Sequence, residues 1–162
     1  MGLIIKDKIQ MLMKGYPTVS DKYNVTGAVL DGDKEVYFGD LVKFGATKGY
    51  YEAAAGAANV LNIAGFVVAT NVKLAEGFPG TAAAIKPGEA FNLLVNGYIA
   101  VELDAAAVEN NIGVTEPVHV ILETGKLTTR GSGGTSTPLP NAVFTGAYEK
   151  HGNVLFAEIY VK

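Results

Sequence analysis

"EAFNLLVNGYIAVEL", residues Glu89 to Leu103, is the stretch on which the fold turns. It reads as two β-strands meeting at Asn96-Gly97, because that dipeptide supplies the positive φ angles of a two-residue type I′ turn. Outward from it the same layout recurs. "EPVHVILETGKLTT", from Glu116, sets two short strands around Gly125, and "DLVKFGATKGYYEA", from Asp40, repeats the order of carboxylate, apolar strand, glycine and second strand. The copies begin 49 and then 27 residues apart, too irregular for a solenoid, so they read as recurring hairpins in one sheet system.

The flanking segments agree. "AVLDGDKEVYFGD" predicts a hairpin in which Asp31-Gly32 joins Ala28–Leu30 to Val36–Phe38. "NIAGFVVAT", Asn62 to Thr70, is almost continuously apolar and predicts a core strand. The closing "VLFAEIYVK" alternates Leu155, Ala157, Ile159 and Val161 against Phe156, Glu158, Tyr160 and Lys162. Helix signals are weak: "KGYYEAAAGAANVLN" is interrupted by Gly56, and in "DAAAVENN" Asp104 can cap a single turn. The expected fold is all-β, an antiparallel β-sandwich or small β-barrel built from hairpins, with an extended N-terminal arm and at most one or two short helical turns.

The arm is set apart by composition. Met1, Met11 and Met13 are all the methionines of the chain, and Gly15 and Pro17 in "KGYPTVSDKY" loosen its junction with the body. Residues 1–25 are therefore expected to be an arm and residues 26–162 a β domain. Thioether side chains adapt to irregular partner surfaces, so the arm is read as a docking element with Leu12, Tyr16, Pro17 and Tyr23 as its anchors. The competing reading is a terminal strand or helix that closes its own domain.

Composition removes several functions. At 162 residues, 49% hydrophobic and 18% charged, the chain can bury a real core and is most simply one domain. A net charge of −3 and a single arginine, Arg130, offer nothing to draw nucleic acid or an anionic membrane. No apolar run is long enough to span a bilayer, and Lys6, Asp7 and Lys8 interrupt any signal-peptide core. Without cysteine there is no disulfide and no thiolate metal site, which fits maturation in a reducing cytoplasm.

The candidate chemistry fails motif by motif. "TTRGSGGTSTPLPNAVFTG" is glycine-rich around Arg130, but no lysine follows Gly131–Gly134, and Pro138 and Pro140 forbid the helix a phosphate loop requires. It reads as an exposed loop from Gly131 to Pro140. His119 and His151 have no helical partner for zinc; His119, flanked by Val118 and Val120, is expected to face solvent or a neighbouring subunit. Asp31, Asp33 and Glu35 imitate the start of a calcium loop, but Val36 replaces its glycine and Val42 its bidentate glutamate. The reading is of a non-enzyme with no cofactor and no metal.

The order of elements carries a resemblance. An arm ending in "GYPTVSD" leads to "GDLVKF", then to "VLNIAGFVV", "KPGEAFNLLVNGYIAVEL" and "TEPVHVILETGKLTT", and a Gly/Thr-rich loop precedes "AVFTGAYEKHGNVLFAEIYV". This resembles the structural cement, or decoration, proteins of tailed-bacteriophage capsids over nearly the whole chain. It departs from them in the longer apolar start, Gly2 to Lys14. The resemblance implies a virion protein, synthesised in the host cytoplasm, that binds the outer surface of an icosahedral head and braces major capsid protein subunits. Strand edges left by the hairpins need covering, and such a shell offers three-fold and two-fold sites, so a homo-oligomer is expected, a trimer first and a dimer second. The alternative is another phage structural or adhesin-like β module, of a tail or for carbohydrate, using exposed tyrosines such as Tyr50, Tyr51, Tyr98 and Tyr148.

Overall fold

Residues Ala90–Leu103 form one strand, not two. They are the fifth of nine strands among the residues that the computed structural model describes, which are 14–18, 23–69, 84–131 and 135–162. In chain order the strands are β1 (Tyr23–Leu30), β2 (Leu41–Phe44), β3 (Tyr50–Ala53), β4 (Ile63–Val68), β5 (Ala90–Leu103), β6 (Pro117–Ile121), β7 (Lys126–Thr128), β8 (Ser136–His151) and β9 (Val154–Val161). Among the described residues helix is limited to two 3₁₀ turns, Val60–Asn62 and Glu109–Asn111. The molecule is all-β.

The pairings close into two five-stranded rings that share β5. In the first, β1 pairs with β3 in parallel, and β3–β2, β2–β4, β4–β5 and β5–β1 are antiparallel. In the second, β5 meets β7 in parallel at Leu103 and Leu127, and β7–β6, β6–β8, β8–β9 and β9–β5 are antiparallel. The first half of β5 serves one ring and the second half the other. Gly97 is the crossover, opposite Tyr23 on one edge and Val161 on the other, with a φ of 136° that suits glycine alone.

This corrects the expected hairpin at Asn96-Gly97. A tight turn forms only where the two flanking runs pair with each other; here each run has a better partner elsewhere. Leu93 and Leu94 lie between β1 and β4, while Tyr98–Leu103 lie along β9. The Asp31-Gly32 hairpin is corrected for the same reason. Gly32 does turn the chain, with φ 83°, but Val36 then bridges to Ile85 and β1 finds its partners in β3 and β5. The hairpins around Gly125 (β6–β7) and at Gly45–Gly49 (β2–β3) form as read, and a further hairpin turns at Gly152 (β8–β9).

Each ring encloses a core. All five strands of the first contribute to it, with Ala28 and Leu30, Val42, Val67, Phe91 and Leu93 buried together, and Tyr51 and Ala53 of β3 packed against them. The second is filled by Ile99, Val101, Val118, Val120, Leu127, Phe144 and the inward row Leu155, Ala157, Ile159 and Val161 of β9. Leu41, Phe66, Val68 and Leu94, on the outer face of the first ring, belong to the second core and weld the two rings. That double burial is why "IAGFVV" is continuously apolar rather than alternating. Each fully buried large side chain contributes about 1.5–3 kcal/mol.

Ser136–Pro140, expected as loop, is the start of β8, with Pro138 opposite His119. Proline is tolerated in a strand where its nitrogen owes no ladder hydrogen bond.

Candidate docking surface

Register gathers one set of strand ends. Phe44 lies opposite Tyr51, Lys43 opposite Ile63, Phe66 opposite Leu94, and Tyr23 opposite Gly97. The end of β2, the starts of β1, β3 and β4 and the middle of β5 therefore surround one opening of the first ring. The exposed large apolar residues of that ring sit there: Leu61 (78% exposed), Phe44 (58%), Val95 (50%), and also Tyr23, Val25 and Tyr50. At the other end Leu30, Val36, Phe38 and Ile85 are buried. Val95 is the extra residue of a β-bulge, since Asn24 pairs with Asn96 and Val25 with Leu94; bulges re-aim side chains in this way. An apolar surface of this kind, concentrated at one end, marks an interaction site.

The described part of the arm lies on the body. On the edge of β5 that β1 occupies up to Gly97, residues Gly15–Thr18 continue the ladder. Gly15 N donates to Ala100 O (2.8 Å), Ala100 N to Tyr16 O (3.1 Å) and Thr18 N to Tyr98 O (3.2 Å), and Pro17 bridges to Ile99. Ala69 N donates to Gly15 O at 2.8 Å, tying the segment to the end of β4 as well. Two glycines permit the approach: a Cβ on Gly15 would stand 2.6 Å from Gly39 N, and one on Gly39 2.9 Å from Gly15 N. Lys14 Nζ then meets Asp40 Oδ1 at 2.6 Å, while Asp40 Oδ2 accepts from Tyr37 N at 2.9 Å.

Of the anchors expected from sequence, Tyr16 is half-buried with its ring edge-on to Phe38 at 6.5 Å, and burial raises its phenol above the usual value. Pro17 is half-buried against β5, and Tyr23 starts β1, exposed, at the apolar opening. Leu12 lies outside the described residues. Phe44, Leu61 and Val95 were not legible as surface, since an apolar residue at a strand end looks the same in sequence as one in the core.

A cleft of about 470 Å³ between the rings is lined by charges, but Lys14 faces Asp40 there and Lys126 faces Asp104 at 3.7 Å. His119, expected to face solvent or a neighbouring subunit, is only 9% exposed in the single chain. Its Nδ1 lies 3.1 Å from Ser136 Oγ, and burial, then the Arg130 guanidinium, lowers its pKa. Among the described residues no three His, Cys, Asp or Glu side chains gather as metal ligands would. The loop beyond Gly131 lies in part outside the described residues.

The family model described as structural cement protein (E217 gp24/Pam3 gp6) matches residues 8–159. The chain belongs to the structural cement protein family. A capsid structural role in the phage virion follows from that membership. Among solved structures, a chain from the capsid of Myoviridae phage XM1 superposes with a TM-score of 0.62 at 23% identity, covering 89% of this chain and 87% of that one. At that identity the likeness shows a shared fold. No curated protein matches the sequence.

Proposed function

We propose that this cement protein is non-enzymatic, binds the outer surface of the icosahedral head and braces contacts between major capsid protein subunits. The observation that carries the reading is the uncharged apolar set at one opening of the first ring, Phe44 and Leu61 foremost. Such a surface need bury only an ordinary interface of roughly 1,600 Å², because an oligomer that engages several subunits at once gains avidity. The arm, residues 1–25, is the second contact. Lys14–Thr18 fixes its path on the body and Tyr23 brings it to the apolar opening, leaving Leu12 and its neighbours to the shell. Nucleic acid and membrane have no part in this reading. The protein is made in the host cytoplasm and ends on the virion surface.

An oligomer, a trimer or a dimer, is part of the reading, since strand edges need to be paired or covered and an icosahedral shell offers sites of both symmetries.

Co-sedimentation with undecorated shells tests the reading. The intact protein should pellet with them, and a Phe44→Ser/Leu61→Ser variant should bind at least about tenfold more weakly. A chain lacking residues 2–13, which keeps the Gly15 and Asp40 contacts, should melt like the intact protein and decorate poorly. Failure of the intact protein to bind shells, or a cryo-EM map placing it inside them, overturns the proposal.

A further inference from the structure

β1 has one edge on β5 along its length, but the opposite edge meets β3 only at Val29 and Leu30. From Tyr23 to Gly27 every residue is exposed, and among the described residues no strand covers that edge. The backbone direction can be read from its neighbours. Val29 N donates toward β3, to Gly49 O at 3.1 Å, and Leu30 N toward β5, to Glu89 O at 3.0 Å. Strand amides alternate, so Gly27, Val25 and Tyr23 turn their N–H and C=O groups to the open side.

Open edges are ordinarily guarded by charge. The comparable stretch of β8, which beyond Phe144 pairs only with β9, carries Glu149, Lys150 and His151, with Lys150 held to Glu109 at 2.9 Å and His151 to Glu149 at 2.9 Å. β1, "YNVTGAVL", carries no charge at all.

We propose that this edge pairs antiparallel with the same edge of a second copy, about a two-fold axis at Val25. In that register Val25 faces Val25 of the other copy, and Tyr23 and Gly27 face each other twice. All of these are outward-directed residues, so every exposed amide and carbonyl from Tyr23 to Gly27 finds its mate. Tyrosine opposite glycine also fits the space: a Cβ on Gly27 would meet nothing within 4 Å, so the partner's ring has room. Chemistry selects a second copy over an unrelated strand. A two-fold contact sets each residue against its own kind or its symmetry mate, so any charge on the edge would meet a like charge, and the edge has none. Two chains of net charge −3 can meet there without repulsion at the contact. The inference stands on the edge itself and does not depend on where the protein sits on a shell.

Sedimentation velocity of the full chain, without shells, tests it. The wild type should run as a dimer at micromolar concentration. Val25→Lys, which sets two ammonium groups against each other, should weaken the dimer at least about tenfold while leaving the far-UV circular dichroism spectrum of the folded chain unchanged. The chain has no cysteine, so the register can be checked by oxidation. Asn24 of one copy faces Thr26 of the other as a non-hydrogen-bonded pair, close enough for a disulfide. Asn24→Cys and Thr26→Cys should each stay monomeric on a non-reducing gel and should cross-link when mixed. A monomeric or trimeric wild type, a dimer indifferent to Val25→Lys, or cross-linking of either single variant alone overturns the proposal. Val25 also borders the apolar opening, so the cement function is read separately with Phe44→Ser/Leu61→Ser, which lies off this edge and should stay dimeric while losing shells.

Discussion

Gly15→Ala is the sharpest test of how the arm is held. Gly15 has φ +81°, and a Cβ there would lie 2.5 Å from the carbonyl carbon of Phe38 and 2.6 Å from Gly39 N. Positive φ costs an alanine about 1–2 kcal/mol, and forcing a methyl into packed backbone a further 1–3 kcal/mol. The chain can escape by undocking residues 14–18. That sacrifices the bonds of Gly15 and Tyr16 to Ala100, of Thr18 to Tyr98 and of Ala69 to Gly15, at about 1 kcal/mol each. Both routes arrive near 4 kcal/mol, or about 8–16 °C in Tm for a domain of this size. Gly56→Ala is the matched control, since Gly56 has φ +74° with nothing within 4 Å of its Cβ position; strain alone should lower Tm by about 2–8 °C. Differential scanning calorimetry gives both numbers. Limited trypsinolysis after Lys14 should quicken in Gly15→Ala only. If the two variants melt within about 1 °C of each other and cleave alike, close approach to Gly39 is not what anchors the arm.

Phe66→Ala, in the layer that welds the two rings, should destabilise by about 3–5 kcal/mol in urea titration; a loss below about 1 kcal/mol would mean the rings are not coupled through it. His119 is held below its ordinary pKa by burial and by Arg130, so the unfolded chain takes up the proton first. Stability should be full above the unfolded value of about 6.5 and decline as pH falls below it, levelling once the folded imidazole titrates. His119→Gln should flatten chemical-denaturation stability between about pH 6.5 and 5, above the range where carboxylates titrate; an unchanged slope there would assign the acid sensitivity to other groups. Replacing Asp40 with alanine should release Lys14 and the Tyr37 amide together, costing about 1–3 kcal/mol by thermal melting; no loss would show that the ion pair is solvent-screened and idle.

Local features were readable from the chain alone. Period-two alternation in "VLFAEIYV" set which face of β9 is buried, a doubly apolar run identified β4, and Gly125 placed its turn, because each depends on a few adjacent residues. The departure of "KGYPTVSDKY" from the hairpin pattern was legible, while a docking role for Tyr16, Pro17 and Tyr23 belongs to the proposal. Which strand pairs with which was settled by long-range contacts. Asn96-Gly97 has a turn's local preference, yet the pairings with β1, β4 and β9 outweigh one turn, so the dipeptide became the crossover between two rings. The same holds for the surface. Whether Phe44 or Leu61 faces core or solvent depends on closure of the ring, and whether the Tyr23–Gly27 edge is open depends on how far β3 reaches along it. Both are set by contacts between residues far apart in the chain, where a side chain's own hydrophobicity is silent.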